Sequence, residues 1–228
     1  MQKPWAKLPP RIIVPLLVAL AIMLPWLPFG SSTNYILRIS TTVLLYMILA
    51  LGLNIVPGFT GLLDLGYVGF YGLGAYTAGL LTIHFNLSFW LILPLAGMNG
   101  AAWGMLLGAP TLRLTGDYFA IVTFGFSELV VLVLRNELWL TRGPMGLPGI
   151  APPSVFGYVI SQEWEYFYPA MFLLALIVLV VYRLENSRIG RAWFSIRENE
   201  IAAQCCGVNL IQYKVTAFAI SAAIGGIG

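Results

Sequence analysis

The sequence predicts an all-α protein, a polytopic bundle of about seven transmembrane helices. Hydrophobic residues make up 59% of the chain and charged residues only 9%, whereas soluble domains carry about 25% charged residues. The apolar residues form runs of about 20, the length that an α-helix needs to cross a bilayer. Aromatic residues account for 14% of the chain and include seven Trp, which is typical of proteins with aromatic belts at both membrane interfaces.

The N-terminal part predicts two spans. Three basic residues precede the apolar run Ile12–Phe29, a start that resembles a signal peptide, but no small-residue cleavage site follows. We therefore predict a retained first span with a cytoplasmic N-terminus. Tyr35–Val56 is the second span, and the uncharged Pro57–Gly61 predicts a sharp helix break after it.

The third predicted span, Leu62–Phe85, is rich in glycine, which lowers helix stability by about 0.5–1 kcal/mol per residue relative to alanine. Close packing through small residues would offset this cost, and so would backbone exposed to a cavity in a partly unwound segment. Both explanations stay open. The glycines are Gly66, Gly69, Gly72, Gly74 and Gly79, and the interleaved polar residues are Asp64, Tyr67, Tyr71 and Tyr76.

The fourth and fifth predicted spans carry different signals. In Ser88–Gly108, three glycines recur every four residues (Gly100, Gly104 and Gly108) and predict a helix-packing seam. The fifth span, Asp117–Leu134, contains Glu128. An ionisable residue within a span faces the bundle interior or water, so Glu128 is either a path residue or a structural acid paired with Arg38 or Arg135.

The remaining predicted spans are Tyr166–Tyr182 and Ile211–Gly228, and the charges set their orientation. Glu137–Glu165 is the long loop on the outer side, with turn residues throughout. With the N-terminus inside, three basic residues fall outside or at the outer boundary: Arg38, Arg135 and Arg142. The cytoplasmic side receives Lys3, Lys7, Arg11, Arg113, Arg183, Arg188, Arg191, Arg197 and Lys214. Nine against three agrees with the positive-inside rule.

A polar segment, Arg183–Asn209, separates the last two spans. It holds seven of the chain's 21 charged residues: Arg183, Glu185, Arg188, Arg191, Arg197, Glu198 and Glu200. Within it, Asn199 as an N-cap and Gly207 as a C-terminal stop predict a short helix between them. Such a helix is short enough to enter a cleft in another protein, although an ordinary solvated connector fits the composition equally well.

The sequence contains no catalytic or metal-binding constellation. No GxxxxGKS/T phosphate-binding loop occurs, so we predict that the chain does not bind ATP itself. The single histidine, His84, has no Cys or acid nearby, and the adjacent Cys205 and Cys206 match no metal-ligand or disulfide spacing. We predict a transport protein without a cofactor, not an enzyme. A secondary carrier remains an alternative, although several intramembrane charges or an inverted repeat would be expected of it.

Four stretches together resemble one family. They are ALGLNIVPGFTGLLDLGYVGFYGLGAYTAGLL (50–81), APTLRLTGDYFAIVTFGFSELV (109–130), TRGPMGLPGI (141–150) and RLENSRIGRAWFSIRENEIAAQCCGVN (183–209). Each stretch alone is weakly specific, but the four in this order are specific. From about residue 40 onward the chain resembles the permeases of branched-chain amino-acid ABC importers, of the LivM type.

The resemblance implies a function and partners. Such a permease forms a transmembrane path with a second, homologous permease; two cytoplasmic ATPase subunits bind ATP and drive it, and an extracytoplasmic binding protein supplies substrate. It implies a multi-pass protein of the bacterial inner (plasma) membrane. It also implies a C-terminal truncation, because the chain stops within the apolar run Ala217–Gly228 and family members continue with further spans. Urea, amides or other small solutes carried by the same superfamily are the alternative substrates.

The resemblance also places an ATPase-coupling loop at 183–210, within a single permease domain that covers 1–228. The general importer motif is Glu-Ala-Ala, three residues, then Gly. Ala202, Ala203 and Gly207 match it, whereas the acid lies one place early, at Glu200, before Ile201. The implied coupling residues are Arg197, Glu198, Glu200, Ile201, Ala202, Ala203 and Gly207. For the translocation path, the polar and glycine positions of the spans predict Asn54, Asp64, Tyr67, Gly69, Tyr71, Gly72 and Glu128.

Overall fold

The computed structural model describes residues 24–26, 33–85, 87–111, 117–150, 152–155, 158–160 and 162–228. The predicted first span, its preceding basic residues and Arg113 lie outside these residues, apart from a 3₁₀ turn at Leu24–Trp26. The helices are α1 (Thr33–Asn54), α2 (Tyr67–Phe85), α3 (Phe89–Thr111), α4 (Asp117–Asn136), α5 (Leu138–Thr141), α6 (Glu163–Glu185), α7 (Arg188–Glu198), α8 (Glu200–Cys205) and α9 (Leu210–Ile227). The predicted polytopic helical bundle is confirmed.

Five helices of the described part are long and apolar enough to cross a membrane. They are Thr33–Thr60, Phe89–Ala109, Tyr118–Asn136, Trp164–Glu185 and Leu210–Ile227. The glycine-rich α2 forms a helix of 19 residues but is not among these five. The bundle therefore contains the second to seventh predicted helices, and α2 is the least typical membrane helix of the set.

Helix α9 occupies the centre of the bundle and packs most extensively on α3. The two backbones approach closely at small residues. A Cβ added at Gly100 would collide with the carbonyl oxygen of Ala222, and one at Gly104 would lie 2.6 Å from the Cβ of Ala222. At Gly108 it would meet the Cβ of Phe218 at 3.4 Å. The packing seam predicted from the glycine spacing of α3 is confirmed, with α9 as its partner.

The other faces of α9 contact α2 and α1. Gly74 of α2 lies against the backbone of Gly226, so close that a Cβ at Gly74 would collide with it. Ser221 donates a hydrogen bond from its hydroxyl to the carbonyl oxygen of Gly52 in α1 at 2.8 Å. Because α9 touches three other long helices, its position determines the positions of all of them.

Helix α1 packs along α6 and does not stop at its proline. The chain continues from Asn54 as a π-helix, Ile55–Thr60, and ends at Gly61, which adopts a φ of 75° that favours glycine. The sharp break predicted over Pro57–Gly61 is therefore wrong. Proline has no backbone N–H and cannot donate a helical hydrogen bond. The π-helical turn changes the local hydrogen-bond pattern and so accommodates Pro57 within the helix.

Helix α2 begins five residues later than predicted. Residues 61–66 form an irregular connector and helix starts at Tyr67, not at Leu62. The side chain of Asp64 accepts a hydrogen bond from the amide of Gly66 at 2.8 Å, an arrangement that holds the chain in a turn before the first helical residue. The turn formed by Asp64 thus delays the start of the helix, although the apolar sequence around it predicts an earlier start.

The long loop between α4 and α6 contains short elements at the end of the bundle away from α7. Helix α5 is followed by a 3₁₀ turn, Gly143–Met145, and by a hairpin of two-residue strands, β1 (Ser154–Val155) and β2 (Tyr158–Val159). The loop folds back on the bundle, since a Cβ at Gly79 in the last part of α2 would lie 3.0 Å from Leu147.

Candidate functional site

The polar segment folds into two helices, and the first of them, α7, is amphipathic. The hydroxyl oxygen of Ser187 accepts hydrogen bonds from the amides of Ile189 and Gly190 at 3.1 and 3.2 Å and so caps the helix. Its buried face consists of Gly190, Ala192, Trp193 and Ile196. The spacing of these residues at intervals of two, one and three is the signal that predicts such a helix. Helix α7 was not predicted, although this pattern is present in the sequence.

Two side chains attach α7 to the spanning helices. Trp193 is fully buried; its indole Nε1 donates to the carbonyl oxygen of Tyr213 in α9 at 2.8 Å, and its ring stacks on Phe59 at 6.1 Å between centroids. Arg197, a predicted coupling residue, donates from Nη1 to the carbonyl oxygen of Gly58 at 2.7 Å. Helix α7 is therefore fixed to both α9 and the π-helical end of α1.

Helix α8 confirms the short helix predicted between Asn199 and Gly207. The side-chain oxygen of Asn199 accepts a hydrogen bond from the amide of Ala202 at 3.0 Å and caps the first turn. Gly207 has a φ of 83°, a left-handed conformation that stops the helix and that other residues rarely adopt. Ala203 is the member of α8 that is buried against the rest of the chain.

The outer face of α8 is uncovered. Ile201 is 75% exposed, and the other exposed members of this face are Ala202, Gln204 and Cys205, followed by Cys206. Both cysteines are free thiols. A short helix that presents an isoleucine to solvent is a candidate contact surface for a partner.

Of the acids predicted here, Glu198 is exposed and Glu200 makes an ion pair. The carboxylate of Glu200 lies 2.7 Å from the Nζ of Lys214 in α9. Lys214 is buried, and the two residues border a polar cleft of about 520 Å³ together with Gln204 and Asn209. Lys214 was not among the predicted site residues, although a lone lysine in the apolar run of α9 predicts that an acid partner exists.

Two of the predicted path residues, Asp64 and Tyr67, are buried near the start of α2. Within the described residues, Asp64 Oδ2 and the Tyr67 hydroxyl have no hydrogen-bond partner. Asp64 lies in the connector, outside the spanning helices. Its burial raises the pKa of the carboxyl group to about 6, although the hydrogen bond from the Gly66 amide acts in the opposite direction and lowers this pKa. Two unsatisfied polar groups in one buried region are unusual and suit a site that takes water or a polar solute.

Two predicted path glycines lie along the contact between α2 and α4. A Cβ at Gly69 would lie 3.2 Å from the Cα of Ser127, whereas one at Gly72 would meet only Leu134 Cδ1 at 3.5 Å. Gly69 therefore allows a close approach of the two helices, and Gly72 has ordinary space beside it.

The other three predicted path residues, Asn54, Tyr71 and Glu128, are exposed. Glu128 borders an apolar groove of about 650 Å³ that Leu107 and Phe126 also line. Among the described residues it makes no ion pair, so neither Arg38 nor Arg135 is its partner within this part of the chain. The seven predicted path residues thus fall into a buried pair, two interhelical glycines and three outward-facing side chains, not one cluster.

Comparisons with known proteins match the chain to transport permeases. A family model described as "Branched-chain amino acid transport system / permease component" matches residues 35–228. The high-affinity branched-chain amino acid transport system permease proteins LivM of Salmonella typhimurium and Escherichia coli are 43% and 42% identical over 92% of this chain, which spans 55% of the length of each. A probable branched-chain amino acid transport permease protein LivM of Methanocaldococcus jannaschii is 29% identical over 60% of this chain and 39% of its own length. No solved structure matches the chain significantly.

Proposed function

This chain belongs to the family of branched-chain amino acid transport permeases, and from that premise we propose that it is a membrane permease subunit of an ABC importer for branched-chain amino acids. It forms the translocation path together with a second, homologous permease in the inner membrane of a bacterium. Two cytoplasmic ATPase subunits bind ATP and drive the cycle, and an extracytoplasmic binding protein delivers the substrate.

The observation that carries this proposal is the placement of α8. The helix follows the anchored α7, lies on the side where α1 ends, and turns Ile201 outward. Ile201 is 75% exposed within the described part of the chain, so most of its surface is free for an ATPase subunit. Two of the other predicted coupling residues support the helix from behind: Arg197 by its hydrogen bond to the Gly58 carbonyl oxygen, and Ala203 by its burial.

The distribution of polar residues supports a path that is shared between two subunits. Tyr71 and Glu128 sit on spanning helices and face away from the core of this chain. Polar and ionisable side chains at such depth face water or another protein, not lipid. We place the path along this outward face, with Asn54 at its cytoplasmic end and with Asp64, Tyr67, Gly69 and Gly72 supporting it from behind.

The proposal is tested by replacing the exposed isoleucine in the complete transporter. Ile201→Asp keeps the fold, because the side chain is 75% exposed, but places a charge in the ATPase contact. We expect the yield of co-purified ATPase to fall by about tenfold or more, as for the loss of a central interface anchor. ATP-dependent uptake of leucine into proteoliposomes should fall with it.

Met145→Asp is the matched control, since Met145 is 93% exposed in the loop at the opposite end of the bundle. It introduces the same charge and should leave both ATPase yield and leucine uptake at the level of the unmodified protein. Normal ATPase binding by Ile201→Asp would refute α8 as the docking helix. Uptake of urea but not of leucine by the unmodified transporter would refute the substrate assignment.

A further inference from the structure

Helix α8 has few attachments to the spanning helices. Its backbone continues into α7 on one side and into the Gly207 turn on the other, and its own cap, Asn199, is local. Among the described residues, the one side-chain hydrogen bond from α8 to a spanning helix is the 2.7 Å contact between Glu200 and Lys214. Together with the buried Ala203 and the backbone connections, this pair therefore holds α8 against the bundle.

The two partners stand in different environments. The side chain of Lys214 is 5% exposed, whereas that of Glu200 is 39% exposed. A buried ammonium group is costly unless an opposite charge accompanies it, so Lys214 requires Glu200. Glu200 does not require Lys214 to the same degree, because water reaches it and the first turn of a helix favours an acid.

Lys214 also belongs to the helix that organises the bundle. It lies in the second turn of α9, upstream of the residues that contact α3, α2 and α1. A force applied to α8 reaches this helix through the ion pair, and α9 cannot shift without moving against the close backbone contacts at Gly100 and Gly74.

We infer that Lys214 is a positioning residue that fixes α8 to α9 through Glu200, so that displacement of α8 by an ATPase is transmitted to the central helix of the bundle. The transmission of movement from an ATPase to α9 rests on the proposed function. The attachment of α8 to α9 through Glu200 and Lys214 does not. In this arrangement Glu200 serves the chain internally and is not the group that the ATPase binds.

The attachment is tested first without any ATPase. A spin label is placed on the exposed α8 through Gln204→Cys, with Cys205→Ser and Cys206→Ser to remove the native thiols. Adding Lys214→Met, which keeps most of the length of the side chain and removes its charge, should shift the spectrum to faster motion. Gln212→Met inserts the same residue at an exposed position of the same helix and should leave the spectrum unchanged. An unchanged spectrum for Lys214→Met would overturn the attachment.

The transmission is tested in the complete transporter by measuring leucine uptake and ATP hydrolysis separately. We expect Lys214→Met to retain the ATPase subunits and ATP hydrolysis while uptake per ATP falls about tenfold, within the usual range of coupling between two sites. Lys214→Arg preserves the charge and should restore most of the uptake. Unaltered uptake per ATP in Lys214→Met would overturn the transmission. Failure of the unmodified protein to bind ATPase would instead refute the proposed function and leave the spin-label result standing.

Discussion

At the scale of single residues, the structure separates glycines that permit close contacts from glycines that do not. Gly100 lies so near the Ala222 carbonyl oxygen that a Cβ has no room, whereas a Cβ at Gly125 would meet no atom of the described residues within 4 Å beyond its own helix. Both glycines lie in apolar spans, and their immediate neighbours in the sequence do not distinguish one from the other. The helical spacing of Gly100 with Gly104 and Gly108 is the pattern that singles out the first.

This difference predicts opposite effects of the same substitution. Gly100→Ala must push α3 away from α9 and should destabilise the protein by about 1–3 kcal/mol, as overpacking does elsewhere. Gly125→Ala adds its methyl group to open space and should leave stability unchanged or raise it by up to about 1 kcal/mol, because alanine is the better helix former. Thermal unfolding of the detergent-solubilised protein, followed by tryptophan fluorescence, measures both. Equal melting temperatures for the two variants would show that α3 and α9 are not in backbone contact.

At the scale of elements, the sequence predicts those features that depend on neighbouring residues. It does not predict those that depend on contacts between distant parts of the chain. The ends of α8 follow from Asn199 and Gly207, whose preferences act within a few residues. The π-helix after Asn54 could not be predicted, because it depends on how Pro57 and its neighbours fit against α7 and α9. The same holds for the exposure of Glu128, since a sequence shows that an acid lies in a span but not which way it points.

The attachment of α7 gives an element-scale prediction. Trp193→Phe keeps an aromatic ring against Phe59 but removes the indole N–H, which donates a hydrogen bond to the Tyr213 carbonyl oxygen. The loss of a hydrogen bond in a buried position should cost about 1–3 kcal/mol of stability. Trp139→Phe is the matched control; its side chain is 82% exposed, and the change should stay within about 0.5 kcal/mol. Denaturant titration of both variants in detergent provides the comparison, and an equal cost would contradict the anchoring role of Trp193.

At the scale of the whole molecule, the contacts define two ends of the bundle. One end gathers the end of α1 with α7 and α8, through the contact between Arg197 and Gly58. The other gathers the α4–α6 loop and the start of α6, where Tyr168 accepts a hydrogen bond from the indole of Trp26 at 2.9 Å. The excess of basic residues near the first end predicts that it is cytoplasmic.

This orientation is tested by labelling single cysteines in a chain that carries Cys205→Ser and Cys206→Ser. Both Met145 and Arg188 are exposed at opposite ends, so Met145→Cys should react with a membrane-impermeant maleimide added outside intact cells, and Arg188→Cys should react only after the membrane is opened. Positions throughout 143–161 should behave like the first, and positions throughout 188–200 like the second. External labelling at Arg188→Cys would reverse the orientation of every helix.

The central place of α9 has a consequence for the order of events during synthesis. The helix that α1, α2 and α3 pack against is the last of the described helices to be made, and roughly 120 residues separate the end of α3 from the end of α9. At the ordinary pace of translation that interval lasts roughly 6–24 s. For all of that time the glycine face of α3 has no native neighbour. We therefore expect the early helices to be inserted before their contacts with α9 can form, and the packing around α9 to assemble in one late step when that helix arrives.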